Sequence, residues 1–367
     1  MSASTEILLI AIVTAVACAI PGVFLVLRQM AMMSDAISHT VLLGIVLGFF
    51  AFQSLDSPWL IPAAALMGVI TVFLVEMFVN TRLVKEDAAI GIVFPALFSI
   101  AVILISRYAS GVHLDSDAVL LGQLEFAFFD RSQLFGLDIA HALKVMGIIL
   151  ILNVILLVLF YKELKISTFD AGLAAALGFS PVLIHYGLMM MVSITAVGAF
   201  DAVGSILVVA LMIAPAATGW LFTDRLDRML IYAVVAAVLS AVGGFAMAIW
   251  FDTNMGGSMA TMCGVVFIIA LLAAPDRGLI AVALRRMRQR WEFSQTMLAI
   301  HLLNHEGTDA EEDECRVDHL WEHLRWQPDF AEQVIRYAEG HGVVRRQRGI
   351  LNLTDEGRAI AEKAMVR

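Results

Sequence analysis

Asp35 and His39 stand four residues apart in the stretch Arg28-Gln-Met-Ala-Met-Met-Ser-Asp35-Ala-Ile-Ser-His39, between two long apolar runs. On a helix that spacing puts a carboxylate and an imidazole on one face. An ionisable side chain in a membrane segment costs roughly 2.5–3.5 kcal/mol on insertion scales, so it marks a functional position by default. A carboxylate oxygen with an imidazole nitrogen, and no thiolate, suits Mn2+, Fe2+ or Zn2+. The same pair could instead carry a proton. A structural reading competes: Ser34 or Asp35 caps a helix starting at Ala36, and His39 is a buried, hydrogen-bonded residue.

Other polar groups interrupt the apolar pattern. His113, Asp115 and Asp117 alternate in a polar segment between apolar runs, either as a cation-collecting rim or as an ordinary solvated loop. Asp201 breaks an apolar run from about 187 to 222 that is too long for one span, so it marks a turn or faces a translocation path. Glu86 and Asp87 open an apolar segment and favour its helix dipole, with no direct metal role expected. In the segment 165–181, Thr168 or Asp170 caps a short helix that Gly178 and Pro181 end. That helix has an apolar face suited to a partner groove or to the lipid surface.

These residues need long apolar elements to hold them. Of 367 residues 60% are hydrophobic, and the mean hydropathy is +0.86. Soluble domains carry roughly 45–50% apolar residues. Apolar runs at 6–27, 38–54, 58–79, 88–106, 137–160, 183–199, 201–220, 229–250 and 258–275 predict about nine membrane spans. The first run lacks the basic start and the cleavage site of a signal peptide. With the N-terminus outside, the inner loops hold Arg28, Arg82, Lys85, Lys162, Lys165, Arg225 and Arg228, and the outer ones only Arg107 and Arg131. Arg277 and the run from Arg285 to Arg290 then place the C-terminal tail inside. Cys18, Cys263 and Cys315 are scattered and imply no disulfide framework. There is no GxxxxGK[ST] phosphate loop, so ATP is not hydrolysed here by that route.

Three regions follow: a membrane domain over 1–280, a basic linker over 281–291 and a soluble tail over 292–367. The tail is acidic, with 15 Asp and Glu against 9 Lys and Arg from residue 291 onward. Its pattern predicts helices over 293–304, 317–326 and 329–341, a hairpin over 343–353 turning at Arg348-Gly349, and a last helix after Thr354. That is the order of a winged helix. The pairs His301/His305 and His319/His323 flank the acidic run Glu311–Glu314 and Cys315. They make metal-ligand faces or are surface and packing residues.

Together the motifs resemble the membrane permease subunit of manganese/zinc/iron (ABC-3) metal-ion ABC transporters. The matching stretches are Phe24–Arg28 to Ser34–His39, Glu86–Val93, Ser167–Asp170 to Ala176–Gly178, and Ala202–Ala210 to Ala214–Thr218. The resemblance implies an all-α polytopic fold of about eight or nine transmembrane helices, like the vitamin-B12-importer (type II) permeases, in a bacterial cytoplasmic membrane. It also implies Asp35 and His39 as intramembrane metal ligands. Thr168, Phe169, Asp170, Leu177 and Gly178 would belong to the helix that couples to a cytosolic ABC ATPase. Further partners would be an extracytoplasmic metal-binding protein and a second permease copy or paralogue. No cofactor is held permanently, and the cation is cargo. The segment from His113 to Glu125 is similar to the manganese branch, which ranks Mn2+ above Zn2+ or Fe2+. The tail is similar to the winged-helix part of iron/manganese-dependent repressors, but its acidity suits nucleic acid poorly. Two other classes are a membrane-anchored metal-responsive transcription regulator and a proton-coupled metal transporter. The many spans speak against the first and the coupling-type helix against the second.

Overall fold

In a computed structural model of the chain, the residues described are 3–52, 59–108, 122, 124–134, 137–318 and 320–365. For Gln133, Leu134, Leu137, Asp201, Trp321 and Glu322 only the backbone is described. The chain forms two compact units, Met1–Gly278 and Leu279–Arg367.

The first unit is a helical membrane domain. Its elements are α1 Ala3–Leu27, α2 Ala31–Phe52, α3 Leu60–Asn80, α4 Glu86–Tyr108, a hairpin of β1 Arg131–Leu134 and β2 Leu137–Ala140, then α5 His141–Leu159. After it come α6 Tyr161–Phe169, α7 Ala171–Ala176, α8 Pro181–Phe222, α9 Leu226–Phe251 and α10 Met255–Ala273. Among the described residues nine segments are long and apolar enough to cross a membrane, α8 supplying two of them. This matches the nine expected spans.

α1 is apolar all round, and such a helix belongs in the interior. It packs against α5, α8 and α9. Small residues let these helices close in, since between lipid-soluble helices packing and hydrogen bonds replace the hydrophobic drive. A Cβ on Gly22 would lie 2.0 Å from the Met212 carbonyl oxygen, and one on Gly68 would lie 2.0 Å from Ser193 Oγ. Buried polar groups tie the same contacts. Asn153 donates to the Ala17 carbonyl (3.1 Å) and to Thr195 Oγ1 (2.9 Å), and Thr71 Oγ1 donates to Thr40 Oγ1 (2.8 Å). Glu6, nearly buried in α1, accepts both arms of the Arg131 guanidinium (3.1 and 3.0 Å) and the Ala140 N–H (3.1 Å), pinning the hairpin. A buried carboxylate survives only when paired and hydrogen-bonded in this way.

α8 reverses direction. Asn153 bridges Thr195 to the Ala17 carbonyl, and Met212 lies against Gly22, so both residues sit beside the Ala17–Gly22 stretch of α1. A straight helix would separate residues 195 and 212 by about 25 Å, at about 1.5 Å per residue. The break is at Gly204, with φ 75° and ψ 164°. That conformation is open to glycine alone at little cost. Gly122, also at positive φ, backs onto it, and a Cβ there would lie 2.3 Å from the Val203 backbone. The turn expected at Asp201 therefore comes three residues later, while residue 201 is still helical.

The second unit has its own core, including Leu298, Leu302, Leu320, Val334, Ile335 and Leu351. Its elements are α11 Leu279–His305, α12 Glu311–Glu314, α13 Leu320–His323, α14 Pro328–Gly340, β3 Val344–Gln347, β4 Ile350–Leu353 and α15 Asp355–Met365. Residues 281–291, expected as a linker, are helical and belong to α11. The second tail helix is shorter than expected, because Arg316 bridges to Ile350 of β4 and Val317 donates to the Gly349 carbonyl. The hairpin turns at Arg348-Gly349 as expected, both at positive φ.

Candidate metal centre

α2 begins at Ala31, so Asp35 and His39 lie inside its first turns and Asp35 is not its N-cap. The turn from α1 closes tightly: Gln29 has φ 60°, and the Met30 N–H donates to the Leu25 carbonyl (2.9 Å). Ser34 Oγ donates to the Ala31 carbonyl and Ser38 Oγ to the Asp35 carbonyl, both at 2.8 Å. These hydroxyls are spent on their own helix. Asp35 Oδ1 and His39 Nε2 face each other at 3.4 Å. The His39 ring stacks on Phe94 of α4 (5.5 Å between centroids) and meets Phe98 edge-on (5.9 Å). Side-chain exposures of 32% and 29% leave one side of the pair open. Two ligands do not saturate a transition-metal ion, which takes four or more. By itself the pair is an incomplete donor set for such an ion, with both side chains partly exposed.

A second polar cluster gathers at the α1–α2 turn. Arg28 donates to Thr168 Oγ1 (3.2 Å) and Ser167 Oγ (3.3 Å), and its third nitrogen lies 3.2 Å from His185 Nδ1. His185 Nε2 is 2.7 Å from Glu76 Oε1, and the Tyr186 hydroxyl donates to Glu76 Oε2 (2.5 Å). Arg28, Glu76, Ser167, His185 and Tyr186 line a cavity of about 270 Å3. Sequence reasoning used Arg28 as a motif residue and as an inner-loop charge, and missed Glu76, His185 and Tyr186. The available signal was Glu76 alone in the apolar run 60–79.

The short helix expected within 168–181 is α7, preceded by a separate helix, α6, that runs to Phe169. Thr168 lies in the last turn of α6 and accepts from Arg28 rather than capping. Asp170 is the cap of α7, its Oδ1 accepting from the Leu173 N–H (2.8 Å). Gly178, at φ 87°, closes α7, with the Phe179 N–H donating to the Ala174 carbonyl (3.0 Å). Phe169, Leu173 and Leu177 are exposed. Glu86 and Asp87 sit in the first turn of α4 as expected. His113, Asp115, Asp117 and His319 lie outside the described residues, and the Asp201 side chain is not described.

The model of the ABC 3 transport family matches residues 3–274. The chain belongs to that family. As an ABC 3 protein it is a membrane permease subunit of a transport system and not an enzyme. It is 46% identical over 357 residues to the zinc transport system membrane protein TroD of Treponema pallidum (strain Nichols), covering 97% of each chain. It is 44% identical over 293 residues to the manganese transport system membrane protein MntD of Bacillus subtilis (strain 168), covering 80% of this chain and 99% of that one. Among solved structures it resembles PsaBC from Streptococcus pneumoniae in complex with Fab, at a TM-score of 0.63 and 27% identity, over 76% of this chain and 94% of that one.

Proposed function

We propose that this ABC 3 permease carries a divalent first-row cation, Mn2+ ahead of Zn2+ and Fe2+, through an ABC importer of a bacterial cytoplasmic membrane. The observation that carries the reading is the Asp35–His39 pair, set 3.4 Å apart on an otherwise apolar helix and open on one side. The donors are an oxygen and a nitrogen without a thiolate, which favours a hard or intermediate ion. The zinc and manganese systems named for its relatives fit the same class. A second permease copy, or a paralogue, brings a like pair to the open side. Two carboxylates then share one cation, which offsets the cost of holding each charge in the membrane. An extracytoplasmic binding protein delivers the ion, with His113, Asp115, Asp117 and Asp201 along its entry path.

The exposed Phe169, Leu173 and Leu177 support α7 as the element that docks on a cytosolic ATPase. Arg28 joins α6 to the turn that leads into the metal-bearing helix, so a push on α7 has a short route to Asp35. The loop charges support a cytoplasmic tail. The tail's order of helices, hairpin and helix supports a winged-helix reading, and its acidity a regulatory rather than a DNA-binding role.

The test is ATP-dependent uptake of radiolabelled Mn2+ by cells carrying the full transporter, with Zn2+ and Fe2+ as competitors. Asp35→Ala and His39→Ala should each lower uptake at least tenfold at unchanged membrane levels. Full uptake in both variants would make the pair structural.

A further inference from the structure

The tail gathers three histidines around one carboxylate. His301 and His305 lie one turn apart on α11, with ring centroids 4.8 Å apart. Glu314 ends α12 and His323 ends α13. Glu314 Oε2 is 2.9 Å from His323 Nδ1 and 3.9 Å from His301 Nε2. One donor atom from each of His301, His305 and Glu314 lies within 4.8 Å of the others. His301 and His323 face each other with ring centroids 6.0 Å apart. Among the described residues a single carboxylate thus sits among three imidazoles, more nitrogen donors than it can pair with one to one.

We propose that His301, His305, Glu314 and His323 form a metal site in the tail, of the kind that takes Zn2+ in a four-coordinate shell. Three neutral imidazoles and a carboxylate are a tetrahedral donor set for that ion. Metal–ligand bonds of about 2.0–2.2 Å set donors about 3.4 Å apart. The 2.9 and 3.9 Å contacts of Glu314 Oε2 bracket that spacing, and His305 closes on it by a side-chain rotation. The site differs from the Asp35–His39 pair in richness of nitrogen, in completeness within one chain and in place. It ties α11 to two four-residue helices, α12 and α13. Binding there converts ion affinity into order of the 306–324 segment, as in other small metal-bound modules. Cys315, next to Glu314, is buried in the tail core and lies outside the donor set.

The experiment uses the full-length chain in detergent, stripped of metal and carrying Asp35→Ala and His39→Ala to silence the other pair. Co2+ is titrated as a coloured stand-in for Zn2+. The expected result is one Co2+ per chain with the intense visible bands of a tetrahedral site, displaced by Zn2+. His305→Gln and His323→Gln should each weaken binding at least tenfold, and His341→Gln, whose ring bonds the Tyr337 carbonyl, should leave it unchanged. His323 is the most exposed of His301, Glu314 and His323, so its substitution spares the core, and hydrogen exchange over 328–340 checks this. Absence of the bands, or bands that survive both tail substitutions in a folded tail, would overturn the proposal.

Discussion

Single side chains here act by satisfying or withholding polar contacts where no water competes. Asn153 holds α1 to α8 through Ala17 and Thr195. Interhelical bonds of this kind average about 0.6 kcal/mol and reach about 1.7. Asn153→Ala should lower the stability of the detergent-solubilised protein by that order, read as a fall in its thermal midpoint, with Asp35 and His39 undisturbed. That His39 faces Asp35 was readable from their spacing. Its aromatic backing was not, because Phe94 and Phe98 come from a helix some fifty residues later.

Helices meet where small residues let them. Gly22 lies against the Met212 carbonyl, a backbone atom that cannot rotate away. Gly22→Val should force α1 and α8 apart at roughly 1–3 kcal/mol or more, the scale of overpacking, and the protein should fail to accumulate in membranes. Gly91, with nothing within 4 Å of a Cβ, is the matched control, and Gly91→Ala should accumulate normally. α7 presents the opposite case, with Leu173 and the adjoining Leu177 exposed. Leu173→Asp on that exposed face should change stability by under about 0.5 kcal/mol. The same variant should lose co-purification with the partner ATPase and lose uptake. The helix was visible in the sequence from Asp170 and Gly178. Its split from α6 at Asp170 was not, since Thr168 caps nothing and is held by Arg28, 140 residues away.

The molecule as a whole is two units with separate cores. Residues 279–367 should therefore fold alone and unfold in one cooperative step by circular dichroism. A non-cooperative melt would mean that the tail core needs the membrane unit. The TroD match covers 97% of this chain, tail included, whereas the MntD match reaches 80%. The MntD match takes in 99% of that chain, so that relative has no counterpart to most of the tail.

Nine spans, the Asp35–His39 pair, the hairpin at Arg348-Gly349 and the family motifs were all legible along the chain. Each rests on near neighbours in sequence: a run of about 20 apolar residues, a four-residue spacing, a two-residue turn. Hydropathy also required a reversal between 187 and 222, but only the folded backbone, with φ 75° and ψ 164° at Gly204, put it there. The Arg28–His185–Glu76 cluster was decided by folding alone. In the tail the histidine pairs and the acidic run were legible as candidate ligand faces, but which of them meet was not, and folding brings His301 and His323 to Glu314. Such groupings form only when packing brings distant turns within hydrogen-bonding distance, and no local pattern encodes that approach.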